Sequence, residues 1–159
     1  MKKYLLIILI ALSYSYCKAQ VSFGSANKVK INLITEKDST FLTLFLKSEK
    51  LKISDSPKML LRLMDDSVIS LDGYMLGATN KSEGAVLIGY MAVAVNHYIT
   101  EAKFPITKEQ VESLSKGVKK LRLNTSPKLY EKEWNKDKIG IKLYKKYQES
   151  SSNSFEDGF

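Results

Sequence analysis

FPITKEQVESLSKGVKKLRL, residues 104–123, contains a helix start, a helix stop and the beginning of a strand. Thr107 and Gln110 have the spacing of a capping box, in which each side chain accepts a hydrogen bond from the other residue's backbone N–H. Gly117 is the residue type that ends helices most readily, because it adopts left-handed backbone angles at little cost. The stretch therefore predicts a short helix near 108–116.

The pattern changes from helical to alternating after Gly117. Leu121 and Leu123 alternate with Lys120 and Arg122, which is the period of a strand with one buried face. The basic residues then lie on the solvent face, where charge also discourages edge-to-edge aggregation. We favour this interpretation over a surface dedicated to an acidic ligand.

Upstream, the sequence predicts antiparallel strands. Alternation in 28–35 and a second apolar run at 40–47, joined by a polar turn, indicate a hairpin. Further strands are predicted at 51–53, 59–64, 67–71 and 74–79. Asp65-Asp66 is interpreted as a solvated turn rather than a carboxylate site, since consecutive strand residues point to opposite faces. Asp72-Gly73 predicts a tight hairpin turn between its flanking runs.

The most apolar segment after the N-terminus is AVLIGYMAVAV, residues 85–95, which contains no charge. It is too short to span a bilayer, which takes about 20 residues. Its β-branched residues, and the alternation that continues through 96–104, predict one long central strand with a bend at Gly89. A helix in its first half remains the alternative. Residues 80–84 are interpreted as a polar loop.

The C-terminal region, 125–150, is predicted to be mainly helical. Ser126 is a candidate N-cap with Pro127 at the first helical position, and Gly140 would weaken the helix by about 1 kcal/mol relative to alanine. Alternation of Ile139 with later apolar residues leaves a strand beginning near 139 as an alternative. Residues 150–159 are predicted to form a flexible polar tail.

The N-terminus resembles an export signal. Two lysines precede a short apolar core, and the segment ends in small residues that fit cleavage after Ala19. Lipidation at Cys17 would require small residues directly before it, where Tyr14 and Tyr16 stand. The predicted organisation is a signal peptide at 1–19, one globular domain at 20–149 and the tail. We expect the chain to be exported, either to the periplasm or outside the cell.

These elements together predict an α+β fold. Six to eight mostly antiparallel strands are expected to form a sheet or sandwich, with the short helix near 108–116 and a C-terminal helix. Cleavage after Ala19 would remove the only cysteine, so the mature chain would contain neither a disulfide nor a thiol nucleophile. The domain is large enough to bury a core without such links.

Chemistry-bearing motifs are sparse. His97 is the only histidine, and a hydrolase would require a cleft in which it meets a carboxylate or a hydroxyl. A zinc site needs three or four ligands, which this composition does not offer. Nucleotide-binding loops and the nucleophile elbow are absent from the sequence. We therefore predict no catalytic residue, no cofactor and no metal site.

The C-terminal lysines are the candidate contact with an anionic surface. Lys142, Lys145 and Lys146 lie among tyrosines in the predicted helix, and basic amphipathic helices bind membranes. Loss of the three signal-peptide lysines lowers the formal net charge from +8 to +5, which argues against nucleic acid as a partner.

The sequence thus favours an exported, non-catalytic binding or accessory protein of the bacterial envelope. Its partner would be a protein or an anionic envelope component. The alternatives are a peripheral membrane or glycan binder acting through the C-terminal helix, and a hydrolase with an unorthodox site.

Overall fold

A computed structural model describes residues 19–24, 27–36 and 39–156. The α+β class is confirmed: antiparallel strands in several sheets dominate, with two short helices, one near the C-terminus. The predicted signal peptide lies outside the described residues except for Ala19, and its cleavage stays a prediction. The strands are β1 (Ala19–Phe23), β2 (Lys28–Glu36), β3 (Ser39–Ser48), β4 (Lys52–Ile53), β5 (Lys58–Leu63), β6 (Val68–Asp72), β7 (Tyr74–Ile88), β8 (Met91–Ile106), β9 (Val118–Leu123), β10 (Thr125–Ser126) and β11 (Tyr130–Glu133).

The described residues contain eleven strands, more than the six to eight expected. Several of the extra strands are short or lie at sheet edges, where burial leaves only a weak pattern in the sequence. Helix α1 (Lys108–Ser113) continues as a 3₁₀ turn (Leu114–Lys116), and helix α2 (Gly140–Glu156) follows the last strand.

The larger sheet has five strands in the order β1-β2-β3-β8-β7, with every neighbouring pair antiparallel. The β2–β3 hairpin predicted from alternation is confirmed, while residues 37–38 of its turn lie outside the described ranges. Val29, Ile31 and Leu33 are buried in the core, whereas Lys30 and Asn32 between them are only half-buried. Alternation thus placed this hairpin correctly.

The second sheet has four strands in the order β11-β9-β5-β6, and β10 and β4 form a separate short pair. Asp65 and Asp66 form the exposed turn between β5 and β6, as predicted. Asp66 has a φ of 63°, a left-handed conformation that aspartate tolerates better than most residues.

The hairpin predicted at Asp72-Gly73 is wrong. Strand β6 pairs with β5, whereas β7 pairs with β8 in the other sheet, so these residues carry the chain between sheets. A Cβ at Gly73 would lie 2.5 Å from the Phe104 ring, which explains the glycine by close packing rather than by turn geometry. The Gly73 N–H donates to the Pro57 carbonyl at 2.9 Å.

The interpretation of 85–95 as one central strand is also wrong. The segment is the end of a hairpin: β7 stops at Ile88, Gly89 and Tyr90 turn with a φ of 63° at Gly89, and β8 begins at Met91. Residues 80–84, predicted to be a loop, belong to β7. Because β3 pairs with β8 only from Tyr98 onward, residues 80–97 form a two-stranded extension, termed the hairpin arm.

Helix α1 confirms the capping box. The Gln110 N–H donates to Thr107 Oγ1 at 3.3 Å, and the Thr107 N–H donates to Gln110 Oε1 at 3.0 Å. Gly117 has a φ of 81° and ends the 3₁₀ turn. Val111 and Leu114 are fully buried and hold this segment on the core.

The helix predicted across 125–139 is wrong. Residues 125–126 and 130–133 are strands β10 and β11, and β11 pairs with β9. Sheet pairing over-rides a sequence whose apolar spacing also fits a helix. Helix α2 instead begins at Gly140 and runs through 150–156, which had been assigned to the tail; residues 157–159 lie outside the described part.

The buried side chains form one hydrophobic cluster, to which both larger sheets and both helices contribute residues. Leu42, Leu44 and Leu46 contribute from the five-stranded sheet, and Leu61 and Leu121 from the four-stranded sheet. The cluster includes Ile139 and Leu143, so burial fixes the start of α2 against the rest of the molecule. This fixed helix start forms one side of the cleft described next.

Candidate functional site

A cleft of about 290 Å³ lies between strand β1 and the approach to helix α2. Phe23 and Trp134 form its aromatic part, and Lys138 and Lys142 supply two positive charges. Gln20, Val21 and Ser22 complete the wall. We call this concave surface the Trp134 cleft.

The aromatic pair is held by two edge strands. Phe23 ends β1, which pairs with β2, and Trp134 directly follows β11. The Trp134 N–H donates to the Lys119 carbonyl at 2.8 Å. The two rings meet edge to face with centroids 5.1 Å apart, a favourable aromatic geometry. Both side chains remain partly exposed, so apolar surface is presented at the cleft.

The lysines are positioned by the start of α2. The Asp137 carboxylate accepts hydrogen bonds from the backbone N–H groups of Gly140 at 2.8 Å and Ile141 at 2.9 Å. It thereby satisfies donors that a helix N-terminus leaves free. Lys138 lies one residue beyond this cap and Lys142 lies in the first turns of the helix, both exposed.

The structure separates the three lysines named from the sequence. Lys142 lines the Trp134 cleft together with Lys138, whereas Lys145 and Lys146 are not among its lining residues. All three are exposed on α2. The spacing i, i+3 and i+4 puts the three lysines on one face of α2. Of the three, Lys142 lines the Trp134 cleft.

The basic residues of β9 are already engaged. Lys120 Nζ lies 3.1 Å from Glu131 Oε2, and the Arg122 guanidinium donates to the other oxygen of the same carboxylate. The hydrogen bond from Lys120, followed by that from Arg122, lowers the pKa of Glu131. The predicted strand is confirmed, with Leu121 and Leu123 buried and Lys120 and Arg122 paired with Glu131.

The acidic turn is engaged in the same way. Lys116 Nζ lies 2.7 Å from Asp65 Oδ2, and Lys119 Nζ lies 2.9 Å from Asp66 Oδ1. Hydrogen bonds from Lys116 and Ser67 lower the pKa of Asp65 from 3.8 to about 2. These contacts join the β5–β6 turn to the 3₁₀ turn and to β9.

His97 lies in the hairpin arm next to the body of the sheet. Its Nε2 is 3.7 Å from Glu49 Oε1, beyond hydrogen-bonding distance. It lines neither the Trp134 cleft nor a second cleft near Pro105 and Tyr147. His97 therefore lies outside both clefts.

Metal-ligand side chains in the described ranges do not gather in groups of three or more that would hold an ion. Among the same residues, no helix combines the length and hydropathy needed to cross a bilayer.

Sequence reasoning missed Phe23, Trp134 and Lys138 as parts of one site. Phe23 is far from Trp134 in the chain, and the two meet only because β1 and β11 lie at neighbouring sheet edges. A local signal did exist for the helix start: Asp137 stands three residues before Gly140, within reach of the first free N–H groups.

Comparison with protein-family models, curated proteins and solved structures finds no match to this chain. Its function is therefore inferred from the geometry of its own surfaces.

Proposed function

We propose that this chain is a non-catalytic binding protein of the bacterial envelope, exported by its N-terminal signal, whose Trp134 cleft binds an anionic envelope component. The observation that carries this proposal is the convergence of Lys138 and Lys142 on the partly exposed Phe23–Trp134 pair. Ligand sites are typically concave, with apolar walls and a few polar groups that fix orientation.

The ligand chemistry follows from the lining. Two ammonium groups favour a carboxylate, sulfate or phosphate, because charge-assisted hydrogen bonds are stronger than neutral ones. The partly exposed Phe23–Trp134 pair favours a ligand with apolar surface beside its charge. An acidic sugar combines both properties, so an anionic polysaccharide is the component proposed.

The proposed export would also change the cleft. Cleavage after Ala19 would make Gln20, a cleft residue, the first residue of the mature chain. Its α-amino group would then add a third positive charge at the cleft wall. Mass spectrometry of the protein recovered from the periplasm or medium checks the cleavage: we expect a chain beginning at Gln20, and retention of residues 1–19 would contradict export by cleavage.

Binding is tested by calorimetric titration with oligogalacturonate, an acidic oligosaccharide, and with maltohexaose as its neutral counterpart. Lys138→Glu and Lys142→Glu should each weaken binding of the acidic ligand by about tenfold or more, since a hydrogen bond to a charged group contributes about 1.5–3 kcal/mol. Lys145→Glu is the matched control: it makes the same charge change on the same helix, away from the cleft.

Equal losses in Lys142→Glu and Lys145→Glu would contradict a site at the cleft, since net charge alone would then explain binding. The membrane alternative is separated by cosedimentation with vesicles containing phosphatidylglycerol. Vesicle binding that depends on Lys145 and Lys146, without oligosaccharide binding, would support that alternative instead.

A further inference from the structure

The hairpin arm exposes large apolar side chains on both faces and at its turn. Leu87 and Ile88 are 75% and 63% exposed, and their neighbours Tyr90 and Met91 are 106% and 70% exposed. Leu87 pairs with Ala92, and Ile88 pairs with Met91. Because consecutive strand residues point to opposite faces, Leu87 and Ile88 lie on opposite faces of the arm. The arm therefore lacks the single buried face that the body of the sheet has.

The total exposure is considerable. The four side chains expose on the order of 600 Å², taking about 200 Å² for a large side chain, divided between the two faces and the turn of the arm. An isolated two-stranded hairpin is also only marginally stable in water. The arm thus has the properties of a surface that binds another chain or ligand.

Strand β7 offers a free edge along the same element. Among the described strands it pairs only with β8, from Tyr74 to Ile88. Tyr74 and Leu76, at the other end of this edge, are 46% and 49% exposed. A long exposed edge with unpaired N–H and carbonyl groups is a template for another strand. Hydrocarbon could not satisfy those groups, which argues against lipid as the occupant.

The irregularities of β7 are arranged symmetrically. Its pairing with β8 shifts between Met75 and Gly77, and again between Ser82 and Ala85. The two bulges lie at nearly equal distances from Asn80: Leu76 stands four residues before it, and residues 83 and 84 stand three and four residues after it. A two-fold axis at Asn80 therefore places the bulges of two copies opposite each other and leaves the regular stretch between them free to pair.

We propose that the occupant is a second copy of this chain, joined by antiparallel pairing of the two β7 edges about a two-fold axis at Asn80. Ile88 of each copy then lies opposite Asp72 and diagonal to Tyr74 of the other copy, and the two five-stranded sheets become continuous. Lys81 lies opposite Thr79 of the other copy, so like charges are not paired directly. Such an interface is isologous, the commonest form in soluble dimers.

The axis is tested by a single cysteine. In a Cys17→Ser background, Asn80→Cys would place two cysteines directly opposite each other, with Cα atoms about 4.5–5.5 Å apart, within the range of a disulfide. Oxidised glutathione should then convert most of the protein to a covalent dimer. Ser70→Cys, on the exposed face of β6, is the matched control and should remain mainly monomeric on a non-reducing gel.

The arm is tested by light scattering on the purified chain. We expect twice the mass of one chain. Ile88→Asp should weaken dimerisation on the order of tenfold or more, because it removes apolar contact and places a second carboxylate opposite Asp72 of the other copy. Val68→Asp, at a 54% exposed position on β6, should leave the dimer intact. A monomeric parent, failure of Asn80→Cys to cross-link, or Ile88-dependent binding to phosphatidylcholine vesicles by a monomer would each overturn the proposal. None of these readouts depends on the Trp134 cleft.

Discussion

The Asp137 carboxylate accepts a 2.7 Å hydrogen bond from the backbone N–H of Val118, which joins the start of helix α2 to the start of strand β9. The same carboxylate also accepts from Ile139, Gly140 and Ile141. One side chain therefore satisfies donors from a helix and from a sheet, next to Lys138 of the Trp134 cleft.

Asp137→Ala should lower the free energy of unfolding by about 1–3 kcal/mol, because it removes a helix cap and leaves partly buried N–H groups without a partner. Urea denaturation followed by circular dichroism measures the change. Asp55→Ala, at an exposed position between β4 and β5, is the control and should change stability little. Equal stability of Asp137→Ala and the parent would contradict the role assigned to Asp137.

Gly140→Ala should destabilise the protein even though alanine is the better helix former. A Cβ at this position would lie 2.8 Å from the Leu114 carbonyl oxygen and 2.9 Å from the Val118 nitrogen, both backbone atoms. Overpacking of this kind costs about 1–3 kcal/mol, which exceeds the gain of about 1 kcal/mol in helix propensity.

Thermal unfolding of Gly140→Ala tests this balance. Lys145→Ala, at an exposed position on the same helix, should leave the melting temperature nearly unchanged. A higher melting temperature for Gly140→Ala would show that helix propensity dominates and that the close approach is absent.

Asp65 should contribute to acid unfolding. Its pKa is lowered from 3.8 to about 2 in the folded chain, so its contacts with Lys116 and Ser67 stabilise the fold fully above about pH 4. That contribution is lost as the pH falls from 4 toward 2, because the unfolded state binds the proton more readily.

Urea midpoints measured between pH 2 and pH 6 test this dependence. Asp65→Asn should have a shallower loss of stability between pH 4 and pH 2 than the parent. Asp55→Asn is the control: it removes an exposed carboxylate elsewhere and should leave the pH profile close to that of the parent. Parallel pH profiles for Asp65→Asn and the parent would contradict the assigned pKa shift.

Local signals in the sequence located the elements that depend on local interactions. Thr107, Gln110 and Gly117 specify α1 and its end, and alternation specifies the β2–β3 hairpin. Asp72-Gly73 misled because its glycine is required by the Phe104 ring, a contact distant in sequence. The prediction for 85–95 is wrong because an apolar composition predicts a buried segment but does not show which surface would cover it.

Only part of the candidate site could be predicted from the sequence. The sequence groups Lys142 with Lys145 and Lys146, because a helical pattern alone does not show which of these residues lines a cleft. Phe23 and Trp134 carry no shared motif. Their contact arises from sheet edges that only the three-dimensional fold brings together.

The most direct test of the binding proposal is a map of the contact by nuclear magnetic resonance. Oligogalacturonate is titrated into isotopically labelled protein while backbone amide shifts are followed. We predict saturable shifts centred on Phe23, Trp134, Lys138 and Lys142, and their loss in Trp134→Ala. Shifts centred on Lys145 and Lys146, or an absence of saturable shifts, would contradict the Trp134 cleft as the binding site.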